Sequence, residues 1–170
     1  MLIFLIGYMG SGKSKTADLL AKIFKCNHLD TDQLIEDKTG KSITSIFQSE
    51  GQEYFRTIER DVLQSIRNGN KVVSTGGGTP FYYDNMDWMN SIGITVYLEA
   101  NAGLLFHRLA LSREGRPLIE SLNDIELMEQ ITGHLAVRVP VYRKAMITIN
   151  AANMNVKSLA DNIKAFKKSS

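Results

Sequence analysis

Apolar residues along this chain recur in two rhythms that alternate from end to end. Leu2 to Ile6 is continuously apolar, as a strand buried on both faces must be. From Lys13 to Phe24 the spacing changes: Ala17, Leu20 and Phe24, beside Leu19 and Ile23, mark a helix with one face on a sheet. Cys26 to Leu29 is a weak strand ending at Asp30. Leu34 with Ile35, then Ile43, Ile46 and Phe47, then Phe55, Ile58, Val62 and Ile66 follow at helical spacing, which places a run of helices between two strands. The turn signal Asn68-Gly69-Asn70 precedes a short strand, Lys71 to Ser74, that runs into Gly76-Gly77-Gly78. Gly93 precedes a further buried strand, Ile94 to Leu98, and Ala102 to Leu111 is helical. Ser112 to Leu122 keeps no period and reads as a mobile polar loop carrying Arg113, Arg116 and Pro117. Ile125 to Val139 is a helix that Pro140 ends, Met146 to Ile149 is the last strand, and Leu159, Ile163 and Phe166 place a closing helix. Lys167 to Ser170 reads as a frayed tail.

Strands separated by helices predict an α/β fold: a single domain over residues 1–170, with a five-stranded parallel sheet and helices on both faces. The ligand site of such a sheet lies beyond the carboxyl ends of its strands. Composition changes this picture little. A chain of 170 residues, 44% hydrophobic, makes one domain of ordinary size, and a net charge of +2 is too small to argue for nucleic acid. The single Cys26 cannot form an intramolecular disulfide and reads as a small half-buried hydrophobe. The first apolar run is too short for a signal peptide, and no later run approaches membrane-spanning length, so a soluble cytoplasmic protein is expected.

The chemistry concentrates at three strand ends. Gly7-Tyr8-Met9-Gly10-Ser11-Gly12-Lys13-Ser14 fits G-x-x-x-x-G-K-[ST], with a strand before it and a helix after it. Glycines let backbone N–H groups converge on a polyphosphate, the helix adds its own N–H groups, and Lys13 reaches the terminal phosphates. The Ser14 hydroxyl is placed to ligate a bridging Mg²⁺. Asp30-Thr31-Asp32 follows the second strand and the glycine triplet the third, so three segments converge on one crevice. Asp37-Lys38-Thr39-Gly40 satisfies D-x-x-G but falls in a helical pattern, and no N-K-x-D motif is present, which disfavours a GTPase. A mechanical ATPase is disfavoured by the lack of long insertions or repeats, and a compact phosphotransferase remains.

These residues carry a family resemblance. In its P-loop, Asp30-x-Asp32, Phe55-Arg56-x-x-Glu59, Gly76-Gly77-Gly78, Arg116-Pro117-Leu118 and Arg138-x-Pro140-x-Tyr142, the chain resembles a shikimate kinase from end to end. The resemblance implies ATP-dependent phosphorylation of the 3-hydroxyl of shikimate, on the route to chorismate and the aromatic amino acids. It implies Mg²⁺, with Ser14 as ligand and Asp30 acting through water, and ATP held by Gly10, Ser11, Gly12, Lys13, Ser14 and Lys15. Residues about 31–67 then form substrate-binding helices, and the loop at about 112–122 is a lid that brings Arg116 onto the phosphates. Either Arg108 or Arg113 packs on adenine. Lys13, Asp32 and Arg116 are the implied catalytic residues. The partners are ATP or ADP and shikimate, with no nucleic acid or membrane, and the chain is expected to be a monomer.

The substrate's own chemistry agrees. One carboxylate and three hydroxyls call for planar bidentate cations, here Arg56 and Arg138, and a carboxylate, here Asp32. Backbone at Gly77 and Gly78 approaches the substrate where a side chain would clash. Plainer readings stand beside these. Asp30 and Asp32 cap the following helix, Arg56 is held by Glu59, Arg138 complements a helix dipole, and Phe47 and Phe55 are core. Two positions depart from the family pattern: Gly51-Gln52 stands where Gly-Glu is common, and Asn153-Met154 where the adenine loop commonly has Asn-Pro. Met154 still offers a polarizable thioether to a flat base. The other readings are another small-molecule kinase, such as a gluconate kinase, and an inactive ATP-binding regulatory module. Trp88, Tyr82 and Tyr83 receive no role.

Overall fold

The structure, a computed structural model, describes residues 1–67, 69–112, 119 and 121–169. Its strands are β1 (Leu2–Ile6), β2 (Asn27–Asp30), β3 (Lys71–Ser74), β4 (Ile94–Glu99) and β5 (Ile147–Asn150). They form one parallel sheet in the order β2-β3-β1-β4-β5, the architecture expected from the alternating pattern. β1 lies at the centre, which is why all five of its residues are apolar and buried. Side chains alternate across a strand, so Ile3 and Leu5 enter one core while Leu2, Phe4 and Ile6 enter the other.

The first face is covered by α1 (Lys13–Phe24), α6 (Ala102–Ala110), α8 (Val156–Ser169) and the amino-terminal half of α7 (Asp124–Tyr142). On the second face lie α4 (Gly51–Ser65), α5 (Asn85–Ile92) and the end of α7. The short helices α2 (Thr31–Thr39) and α3 (Ile43–Ser49) lean on α4 through a separate cluster of Ile35, Ile46, Phe55 and Val62. This small core gives the helical segment after β2 its own body beside the sheet.

Two local expectations are corrected, and one helix had no expectation at all. Pro140 does not end α7, which continues to Tyr142. Arg143 N still reaches Val139 O at 2.9 Å, and Tyr142 is fully buried against Tyr97, so tertiary anchoring overrides the proline's local preference. Lys167 and Lys168 belong to α8 rather than to a tail; cations in a last turn complement the helix dipole. Helix α5, preceded by a 3-10 turn at Thr79–Phe81, escapes the apolar pattern because Met86 and Met89 are its only fully buried apolar residues, with Trp88 half-buried beside them. Arg113 to Leu118, the heart of the expected lid, lies outside the described residues.

Candidate active site

Strand register brings the three sequence segments together. Leu5 and Asp30 both pair with Ser74, so β1, β2 and β3 end at one level of the sheet. Beyond them lie three adjoining cavities. The middle one, about 430 Å³, is lined by the P-loop, Asp30, Asp32 and Arg108. Towards α4 and α7 it meets a cavity of about 370 Å³, and towards β5 a hollow of about 500 Å³.

The middle cavity is built around the P-loop. Gly12, at φ 99°, caps α1 in a conformation that only glycine adopts readily, and makes no side-chain cap to the helix's first N–H groups. These groups are the anion-binding end of the helix. Lys13 is almost buried; its Nζ donates to the carbonyls of Gly7 and Tyr8 at 2.9 Å each, which folds the ammonium over its own loop. Ser11 is buried beneath, its hydroxyl without a partner among the described residues. Arg108 ties the loop down from α6, donating to the carbonyls of Gly10 at 3.0 Å, Ser11 at 3.2 Å and Ala151 at 3.3 Å. Ser14 is exposed at the mouth and donates to Asp30 Oδ2 at 3.0 Å. Asp30 also caps α2, accepting from Asp32 N at 3.0 Å, so capping and site roles coexist in one carboxylate. Among the described residues no group of three or more His, Cys, Asp or Glu could cage a metal. A hydroxyl beside one carboxylate fits Mg²⁺, a hard cation that takes its other ligands from water and phosphate.

The neighbouring cavity is made of side chains. Arg56, 13% exposed, donates from Nη1 to Glu59 Oε2 at 2.7 Å, and Glu59 Oε1 accepts from Thr79 Oγ1 at 2.6 Å. Its guanidinium lies 4.0 Å from the centre of the Tyr82 ring and 4.9 Å from that of Phe55, while its buried Nε has no acceptor among the described residues. Gln52 donates to the Tyr82 hydroxyl at 3.0 Å, so the position that departs from the family pattern supports the ring that covers Arg56. On the opposite wall Arg138 lies 5.5 Å over Tyr8. The Tyr8 hydroxyl and His134 Nδ1 share a hydrogen bond at 2.9 Å; burial, then Arg138, lowers the His134 pKa, while burial raises that of Tyr8. The Tyr142 hydroxyl donates to the carbonyl of Gly77. Phe47 and Phe55, with ring centres 4.5 Å apart, are both core and wall.

The glycine triplet is the seam between these cavities. A Cβ on Gly76 would lie 2.8 Å from Asp32 Oδ1, one on Gly77 3.2 Å from Met9 N, and one on Gly78 2.9 Å from Arg56 Nη2. Side chains here thus meet the protein's own P-loop and site residues, a constraint that exists even without the expected substrate contact. Asp32 lines both cavities. Burial first, then Asp30 and Glu59, push its carboxyl up to about 6, against the opposing pull of Lys13 and Arg56.

The β5-side hollow takes in Gly10, Gly12, Lys15, Arg108 and Met154, whose sulfur lies 3.9 Å from Thr16 Oγ1. Asn153 lines a different hollow with Asn155 and Asn162, so the structure brings Met154 but not Asn153 to the P-loop side. Arg116 and Arg113 lie outside the described residues, whereas Arg108 has the P-loop contacts given above. Sequence reasoning missed the supports of Arg56 and Arg138: Thr79, Tyr82, Gln52, Tyr8 and His134. The i, i+4 spacing of His134 and Arg138 on one helix was the available signal for part of that wall.

The family model for shikimate kinase matches residues 9–167. The chain belongs to the shikimate kinase family. Among its relatives, the shikimate kinase of Phocaeicola vulgatus is 40% identical over 156 residues, covering 91% of this chain and 89% of the relative. The crystal structure of Bacteroides thetaiotaomicron shikimate kinase superposes with a TM-score of 0.90 at 34% identity, over 99% of this chain and 98% of that one. The solved structure of Acinetobacter baumannii shikimate kinase in complex with shikimate gives a TM-score of 0.85 at 34% identity, over 99% of this chain and 93% of that one. The chain is accordingly a P-loop kinase whose reaction is the ATP-dependent phosphorylation of shikimate. Among the described residues no helix is long and apolar enough to cross a membrane.

Proposed function

We propose that phosphoryl transfer from ATP to the 3-hydroxyl of shikimate takes place across the seam at Asp32 and Gly76-Gly77. The single observation that carries this reading is that Asp32 belongs to both the phosphate-sized and the acceptor-sized cavity. A group held there reaches the attacking hydroxyl on one side and the phosphates on the other. In this reading Arg56 and Arg138 hold the carboxylate of shikimate, and Asp32 orients the hydroxyl and receives its proton. With a carboxyl pushed up to about 6, Asp32 is ionised at neutral pH yet basic enough for that transfer.

On the other side, Lys13 leaves the carbonyls of Gly7 and Tyr8 for the terminal phosphates, and Gly10, Ser11, Gly12 and Lys15 cradle them with Ser14. Ser14, with Asp30 behind it, would hold Mg²⁺, which when bound would neutralise charge on the phosphates. Arg116 closes with the lid to add a cation and exclude water. Met154 lies against the adenine. The reading takes the chain as a monomer at work in the cytoplasm.

A coupled ADP-release assay tests the reading. ADP release is expected with shikimate and Mg²⁺, near background with gluconate, and near background without an acceptor. Equal release with and without shikimate would sink the acceptor assignment.

A further inference from the structure

His28 is a polar residue where the pattern of β2 calls for an apolar one. It pairs in register with Val72, and its side chain is 17% exposed, facing α1. Its two ring nitrogens are both engaged: Nδ1 lies 2.6 Å from Asp18 Oδ1 and Nε2 lies 2.8 Å from Ser74 Oγ. Ser74 Oγ in turn donates to Asp30 Oδ2 at 2.7 Å, the same oxygen that accepts from Ser14 Oγ at 3.0 Å. Five side chains thus form an unbroken path from the exposed surface of α1 to the hydroxyl at the mouth of the phosphate cavity.

The direction of each bond follows from what each group can give. A carboxylate only accepts, so the hydroxyl protons of Ser14 and Ser74 both go to Asp30. Ser74 has then spent its single proton, so this set of bonds takes His28 with both ring nitrogens protonated, Nε2–H donating to Ser74 and Nδ1–H to Asp18 as an ion pair. His28 therefore fixes the rotor of Ser74, Ser74 fixes Asp30, and Asp30 holds the proton of Ser14 away from the cavity. That leaves the lone pairs of Ser14 for a cation.

We propose that His28, oriented by Asp18, is a positioning residue for the divalent cation that accompanies the nucleotide. The proposal rests on the reading of Ser14 and Asp30 as the cation site. Partners behind metal ligands are worth about 10–100-fold in metal affinity, and His28 acts one link further back. The readout is calorimetric titration with ADP, once with Mg²⁺ and once in EDTA; their ratio isolates the cation's contribution. In His28→Leu, whose side chain suits a half-buried strand, the Mg²⁺ enhancement is expected to fall about tenfold. ADP affinity in EDTA and shikimate affinity stay as in wild type. Asp18→Asn, on exposed surface, loses roughly two- to threefold in the same direction.

An unchanged enhancement in both variants overturns the proposal, as does an equal loss with and without Mg²⁺, the mark of a merely structural role. If His28→Leu does not fold, Asp18→Asn decides alone, and an unchanged enhancement there overturns the proposal. Ser14→Ala separates the two levels. If it keeps the full enhancement, the cation-site reading itself fails; if it loses it while His28→Leu does not, only the role of His28 falls.

Discussion

The phosphate end and the acceptor end of the crevice are built from different materials. The phosphate end is organised around one contiguous stretch of backbone: a glycine loop, the first turn of α1, and one lysine folded onto its own carbonyls. At the acceptor end they are side chains held by other side chains, with Arg56 clamped by Glu59, Glu59 engaged by Thr79, and Tyr82 laid over the guanidinium. A backbone cradle is encoded within eight consecutive residues. A side-chain clamp needs α4, the turn after β3 and α7 to meet. The first should break in function with little loss of fold, whereas the second should lose both together.

The largest effect is expected for Glu59→Ala. It strands a nearly buried guanidinium and the buried hydroxyl of Thr79, which should cost about 3–5 kcal/mol of stability by denaturant unfolding, with a raised KM for shikimate. A loss below about 1 kcal/mol would show that the clamp is not a stability element. Lys13→Ala, at the other end, should lower turnover by about 10²–10³-fold while shikimate binding stays intact, since the lysine addresses the nucleotide alone. Near-normal turnover would contradict its role.

Arg56→Lys keeps the charge but loses the planar fork, so shikimate affinity should drop by about 1.5–3 kcal/mol in titration calorimetry, with ADP-Mg²⁺ unaffected. Unchanged shikimate affinity would remove Arg56 as a bidentate anchor. The smallest effect is that of pH. With Asp32 pushed up to about 6, kcat/KM should fall about tenfold near pH 5, and Asp32→Asn should flatten that acid limb within its low residual activity. The same raised value has a stability consequence of opposite sense. The native state holds this proton more tightly than the unfolded chain, so its contribution is complete below the ordinary carboxylate range and is lost as pH rises through about 6. Asp32→Asn should therefore gain roughly 1–3 kcal/mol in unfolding measurements above pH 7. An acid limb that survives Asp32→Asn would assign it to another group.

Legibility followed the range of the interactions. The P-loop was readable because strand, glycines and helix are contiguous, and the central strand because burial on both faces makes Leu2 to Ile6 uniformly apolar. Glu59 as the holder of Arg56 was readable because the two sit three residues apart on one helix. Helix α5 was not, because two methionines make a weak stripe, and neither was the run of α7 past Pro140, because the burial of Tyr142 decides it. The resemblance to the family brought Arg138 and Asp32 to the site, but not the manner in which each is held.

By itself, then, the sequence determined the parallel α/β order, the phosphate cradle, the family and the residue types that an acidic, hydroxylated acceptor requires. Only the tertiary structure decided that Asp32 stands between two cavities with its carboxyl pushed up, that Tyr82 and Gln52 cover Arg56, and that Met154 reaches the P-loop side while Asn153 does not. Periodicity and local motifs are properties of neighbours along the chain. Desolvation, clamping and shared walls depend on which distant segments come to lie within a few ångströms, and that is set by packing over the whole domain.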